Sequence, residues 1–352
     1  MAESILSGDV AEILAEDAVP WRRLEGKTLL ISGAGGMLAG YMVRAALSLN
    51  RGPLKSAPLR VLALVRSRER ARAALGAWAD EPGLEWIESD ACAPLAWDGP
   101  LDFVVHAASL ASPRHYAADP AGIVDVNTAG TRALLDLARR KGSEGFLFFS
   151  TSEVYGRTPE RASGISEDAY GWLDPTSVRA CYAESKRAGE NLCAVWRHQY
   201  GVPAVIARPF HTYGPTLRLD DGRVFADFVA DVVQRRDIAL NSDGSARRAF
   251  CYITDATVAF YLLLLKGEAG QAYNVGNPEQ EYSMLELAKT LVGLYPEFGL
   301  KVTTKAPKEG YLASKVDRSF PDVSKLKALG WEPKVGVLEG FQRVIRFHLT
   351  MK

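Results

Sequence analysis

From Lys27 onward, short apolar runs alternate with longer stretches in which apolar residues recur every three or four positions. TLLIS (Thr28–Ser32), VLALV (Val61–Val65), LDFVVHAA (Leu101–Ala108), GFLFFS (Gly145–Ser150) and PAVIARP (Pro203–Pro209) read as buried strands. Between them, MLAGYMVRAALSLN and VDVNTAGTRALLDLARRK carry helical spacing. Strands that are apolar along their whole length, rather than alternating, belong in a parallel sheet covered on both faces. The pattern therefore predicts an α/β fold, a Rossmann-type doubly wound parallel sheet. After about Arg208 the alternation weakens and Pro and Gly punctuate RPFHTYGPTLRLDDG. The remainder reads as a smaller C-terminal α/β lobe closing over the sheet's C-terminal edge. Leu47–Arg60 reads as a loop, and no internal repeat or low-complexity tract interrupts the chain.

The 352 residues exceed one compact core, which fits a large domain plus a second lobe. Lys plus Arg equals Asp plus Glu, 42 each, so no net field draws nucleic acid or an anionic membrane. Any anionic ligand must be held by local groups. The longest apolar run, Ala256–Leu265, is too short to span a bilayer and reads as a core helix. Residues 1–25 are acidic and amphipathic, unlike a basic, apolar leader. Cys92, Cys181, Cys193 and Cys251 show neither CxxC nor a zinc-like spacing with the five histidines, so they read as reduced thiols with no metal. The expectation is a soluble cytoplasmic protein with neither nucleic-acid nor membrane partners.

The segment ISGAGGMLAG follows the first strand and opens the first helix, with Gly33, Gly36 and Ala39 at GxxGxxA spacing. Glycine serves where the backbone turns tightly and where amides must approach a pyrophosphate. Strand, turn and helix in that order point to a dinucleotide. An acidic residue at the end of the second strand would hold an adenosine 2′-hydroxyl. This chain has LVRSRER there, with Arg66 and Arg68, and Glu69 one helical turn late. Those arginines meet a 2′-phosphate or lie solvated at a helix start; the spacing leaves both open. Asp90 ends a third strand, placed to receive the adenine amino group. HAASLASP ends the fourth, where Ala107 and Ala108 let a cofactor lie against the backbone, and His106 reads as a packed strand-end residue.

STSEVYG (Ser150–Gly156) ends another strand, and YAESK (Tyr182–Lys186) lies some thirty residues later. Hydride removal from a secondary alcohol needs a base for the hydroxyl proton, and a free tyrosine is a poor one near neutrality. A lysine at i+4 shares the tyrosine's helical face and stabilises phenolate. Thr151 is the hydroxyl best placed to bond the same substrate oxygen. Tyr182, Lys186 and Thr151 thus spell a redox site acting on a carbinol carbon.

These motifs resemble the extended short-chain dehydrogenase/reductases of the nucleotide-sugar epimerase/dehydratase family, and within it most of all the UDP-glucuronate decarboxylases. The resemblance runs from about Lys27 to Phe347 and is carried by STSEVYG, RACYAESKR, DDGRVFADFV, RRAFCYITD, YNVGNPEQ and KALGWEPKV. It implies 26–208 as the dinucleotide-binding domain with the Tyr/Lys helix, 209–352 as mainly a substrate lobe with segments returning to the sheet, and 1–25 as an extension without a counterpart. It implies catalysis by Thr151, Ser152, Glu153, Tyr182, Lys186 and Arg248. Gly33, Gly36, Met37, Leu38, Arg66, Asp90, Ala107, Ala108, Asn127, Tyr182 and Lys186 would line the cofactor, NAD with NADP left open. Ser112, His211, Arg223, Val224, Arg248 and Arg318 would line a nucleotide-diphosphate sugar. The implied reaction oxidises the sugar at C4, loses CO₂ from the resulting β-keto acid and returns the hydride; C4 epimerisation and 4,6-dehydration are the alternatives. A dehydratase usually has Asp-Glu where this chain has Ser152-Glu153, and family members usually have Asn where it has His211. A homodimer through the helices of NTAGTRALLDLARR and CYAESKRAGENLCAVW is implied as well.

Overall fold

The computed structural model describes residues 1–112, 116, 118–159, 164–304 and 318–351. Seven parallel strands form the main sheet: β1 (Thr28–Ser32), β2 (Arg60–Val65), β3 (Leu84–Glu88), β4 (Phe103–His106), β5 (Gly145–Phe149), β6 (Ala204–Pro209) and, much later in the chain, Ala272–Val275. In space the late strand leads, followed by β6, β5, β4, β1, β2 and β3. Leu30 pairs with Leu62 on one side and with Val104 on the other, which fixes the register at the centre. Strand order reverses between β1 and β4. The loops leaving those two strands therefore diverge and open a crevice at their C-terminal ends.

Successive side chains of a strand point to opposite faces, and here both faces are buried. Leu29 and Ile31 join one core cluster while Leu30 joins the other. Helices α1 (Ala2–Leu14), α2 (Met37–Leu49) and α3 (Arg68–Leu75) follow the first part of the chain; α4 (Pro120–Asp125), α5 (Thr131–Lys141) and α6 (Cys181–Tyr200) follow β4 and β5. The expected core helix is present as α7 (Ile253–Lys266), buried along nearly its whole length. No helix among the described residues is long and apolar enough to cross a membrane. A second sheet forms later in the chain, in which Arg247–Tyr252 pairs with His211–Tyr213, Glu281–Ser283 and Arg318–Ser319.

Two readings need correcting. The strand expected over Leu101–Ala108 is only Phe103–His106. Ser32 Oγ captures the amides of Ala107 and Ala108, 3.2 and 3.1 Å away, and so turns the chain out of the sheet. Residues 1–25, expected as an extension, contribute to the core itself. Leu6, Val10 and Ile13, at helical spacing, are buried on one face of α1. Between them lies Asp9, 1% exposed, accepting hydrogen bonds from Tyr41 of α2, from Tyr252 of the second sheet and from Arg343 of the C-terminal helix Val337–Thr350.

Candidate functional site

The crevice begins at Gly33, whose φ of +71° suits glycine. A Cβ there would lie 2.8 Å from Ala108 Cα, so only glycine lets the two loops of the crevice meet. Gly36 caps α2 without a side-chain partner, leaving the first amides of the helix free for an anion. The cradle therefore fits a pyrophosphate. Gly33→Ala would force the Ala107–Ala108 backbone outward and strain the turn by about 1–3 kcal/mol. It is expected to weaken cofactor retention roughly tenfold, read as bound nicotinamide per purified chain; wild-type content would contradict it.

Around this cradle, Met37 and Leu38 are partly buried at the start of α2. Asp90 accepts the Cys92 amide at 2.8 Å, which with the Arg66 charge keeps its carboxyl below the usual range. Arg66 itself is exposed just beyond β2, Glu69 lies in the first turn of α3, and Glu88 accepts the Arg68 amide. His106 is fully buried, bonded to Ser32 Oγ and the Val126 carbonyl, and burial pushes its imidazole down to about 3. It is neutral and structural. Asn127 donates to Ser185 at 2.9 Å from a π-helical turn, and its buried Oδ1 has no partner among the described residues.

The end of β5 faces α6. Tyr182 and Lys186, one turn apart, are both buried. Lys186 donates to the Phe149 carbonyl at 2.6 Å, and its ammonium stands 6.0 Å from the Tyr182 ring centroid. Burial pulls this ammonium down to about 7 and pushes the Tyr182 phenol up. Thr151 lies against Tyr182 and opposes that rise through a hydrogen bond. Its hydroxyl also caps the short turn Ser152–Tyr155, which points Glu153 into the same space. Burial raises the Glu153 carboxyl, opposed first by Arg179 and then by Tyr116, Arg223 and Arg248. Thr151, Glu153, Tyr182 and Lys186 thus come together, with Ser152 half-buried beside them.

Two participants escaped the sequence reading. Tyr116 stacks on Tyr182 with ring centroids 5.3 Å apart, and its hydroxyl lies 3.4 Å from Glu153. Arg179, three residues before Tyr182, places its guanidinium 5.4 Å from the Tyr116 ring. The RACY spelling was the available signal for Arg179; no periodicity marked Tyr116.

The second sheet supplies the far wall. Arg248 is buried and donates to the Arg247 carbonyl at 2.7 Å. Arg223, immediately before Val224 and its helix, is held by Asp221 at 2.6 Å, and Ser112 donates to the Asp221 carbonyl. His211 packs edge-on to Phe225 and Phe250, with Nδ1 buried and unpartnered among the described residues. Burial, then Arg248 and Arg223, push it down to about 3, so the imidazole is neutral. Arg318, paired with Arg247 across the second sheet, forks onto Glu281 at 2.6 and 2.8 Å. Among the described residues no group of three His, Cys, Asp or Glu side chains is placed to hold a metal.

Residues 29–276 match the NAD dependent epimerase/dehydratase family. UDP-glucuronic acid decarboxylase 3 of Arabidopsis thaliana is 34% identical over 314 residues, 89% of this chain and 86% of that protein. Among solved structures, the dTDP-glucose 4,6-dehydratase DesIV of Streptomyces venezuelae, with NAD and TYD bound, is 25% identical with a TM-score of 0.76, covering 91% of this chain and 96% of its own. The UDP-glucuronic acid 4-epimerase of Bacillus cereus, in complex with UDP-glucuronic acid and NAD, shares the fold with a TM-score of 0.77 at 22% identity, covering 92% and 100% of the two chains.

Proposed function

This chain belongs to the NAD dependent epimerase/dehydratase family, and on that premise we propose that it decarboxylates UDP-glucuronate through a 4-keto intermediate. The observation that carries the reading is one carboxyl, Glu153, facing the Tyr182–Lys186–Thr151 cluster, with Ser152 rather than a second acid beside it. A dehydratase must remove a proton at C5 and supply one at C6; a decarboxylase needs no base at C5, because the leaving CO₂ surrenders the electron pair.

The glycine cradle, Ala107, Ala108 and Asn127 would hold NAD, which when bound takes the C4 hydride and later gives it back. Tyr182, as phenolate stabilised by Lys186, takes the C4 hydroxyl proton, with Thr151 bonded to the same oxygen. The C5–C6 bond then breaks, and its electron pair runs to the C4 carbonyl oxygen. Tyr182 and Thr151 donate to that oxygen as it gains charge. Glu153, whose carboxyl burial pushes upward, is the acid placed to deliver a proton to C5. Arg179 is the cation placed to orient the sugar carboxylate beside Glu153, while Arg223, Arg248 and neutral His211 line the diphosphate end. Arg318, held by Glu281, would line the nucleotide sugar as well. The same reading makes the protein a cytoplasmic homodimer through α5 and α6, where Val195 and Tyr200 are exposed.

Incubation with a panel of UDP- and dTDP-sugars, read by product mass, tests the reaction. Loss of CO₂ from UDP-glucuronate is expected. An unchanged mass with inverted C4 would make the protein an epimerase, and loss of water a dehydratase.

A further inference from the structure

One turn beyond Lys186 on α6 stands Glu190, which belongs neither to the crevice nor to the surface. Arg208, at the end of β6, grips it with both arms of its guanidinium, Nε to Oε1 at 2.9 Å and Nη2 to Oε2 at 2.6 Å. Ser150, the residue before Thr151, donates its hydroxyl to the same carboxylate. All three are largely buried: Arg208 and Glu190 side chains are 10% and 13% exposed. The remaining arm of Arg208 continues outward, donating to Tyr155 Oη at 3.0 Å and to the Glu167 carbonyl at 2.8 Å. Tyr155 donates to Asn274 Oδ1 at 2.6 Å. Asn274, on the late strand Ala272–Val275, in turn donates to the carbonyls of Ile165 and Asp322.

We propose that Glu190 and Arg208 form a positioning pair that locks the β5 end carrying Thr151 against the helix carrying Tyr182 and Lys186, and balances the charge felt by Lys186. This rests on the Tyr182–Lys186 redox reading. The geometry assigns the pair two separable tasks. Through Ser150 it holds the chain from which Thr151 and Glu153 project. Through its charge it governs how readily Lys186 keeps its proton. Of the other groups facing Lys186, Tyr182 bears charge only as phenolate, within the reaction itself. The Lys186 hydrogen bond goes to a neutral carbonyl. His106, across on β4, is neutral, and burial pushes the Cys193 thiol up, so it too carries no charge near neutrality. Among the described residues Glu190 is the carboxylate whose field favours charged Lys186. Arg208, forked onto that carboxylate, carries the opposite charge.

A charge-balancing role and a merely structural one differ in sign. Glu190→Gln leaves an uncompensated Arg208 cation, disfavours protonated Lys186 and should move the alkaline limb of the kcat profile to lower pH. Arg208→Gln leaves an uncompensated carboxylate and should move the same limb to higher pH, each by about half a unit or more. The double variant Glu190→Gln/Arg208→Gln should return the limb to near its wild-type position. Shifts in the same direction, or none, would overturn the charge role. Arg208→Lys keeps the charge while losing the fork. It is expected to fold, to leave the limb in place and to lower kcat roughly tenfold at unchanged KM, because Thr151 is held less firmly. A kcat within twofold of wild type would overturn the positioning role, and this arm stands even if a glutamine variant fails to fold. Reduction of bound nicotinamide by substrate, followed by absorbance in Tyr182→Phe, keeps the two claims apart. If that variant still reduces the cofactor at the wild-type rate, the redox reading fails. If it does not, same-sign shifts sink the charge role alone.

Discussion

Tyr182→Phe should leave the cofactor in place and slow turnover by about 10² or more. The substitution removes one oxygen from a buried ring and little else. The phenylalanine keeps the stacking on Tyr116, so packing is preserved. What disappears is the oxygen proposed to take the C4 hydroxyl proton. Burial raises the phenol, which makes it a poor base alone; Lys186 and the Thr151 hydrogen bond are what bring it into use. Turnover on the substrate identified by product mass measures the effect. A rate within threefold of wild type would remove Tyr182 from the mechanism.

The second large effect concerns stability. Asp9→Ala should destabilise the fold by about 3 kcal/mol or more, since breaking a buried charge pair leaves its partners unsatisfied. Asp9 is where α1, α2, the second sheet and the C-terminal helix meet, through Tyr41, Tyr252 and Arg343. Burial raises its carboxyl while those three donors work against the rise. With alanine, two phenols lose a buried acceptor. Arg343 keeps Glu12 and Glu339 at the surface, which limits the damage on that side. Asp9→Asn keeps an acceptor and should lose less. Urea titration of both variants checks the order; a loss under about 0.5 kcal/mol for Asp9→Ala would show that the N-terminal helix is dispensable to the core.

Much of this was legible in the chain because local chemistry carried it. A strand such as TLLIS, apolar on both faces, can only sit inside a covered sheet, and it lies at the centre of one. GxxGxxA asked for a tight turn with no room for a Cβ, and a Cβ on Gly33 would lie 2.8 Å from Ala108 Cα. Tyr182 and Lys186 share a helical face by spacing alone. Other features depend on partners distant in sequence. Nothing near Asp9 announces that Tyr252 and Arg343 will surround it, so the first 25 residues read as an appendage. Arg208 ended a strand with no sign that it would reach across to Glu190. Nothing near Arg318 announced that Glu281, 37 residues earlier, would take up its fork. Ala107 and Ala108 left the strand because one serine hydroxyl, 75 residues upstream, captured their amides.

The central claim is that oxidation and reduction occur at one carbon, with the hydride lent and returned inside a single turnover. UDP-glucuronate carrying deuterium at C4 tests it directly. The expected product is a UDP-pentose lighter by CO₂ that retains the deuterium at C4. A pentose without deuterium, or a labelled hexuronate recovered with its carboxylate intact, would contradict the account.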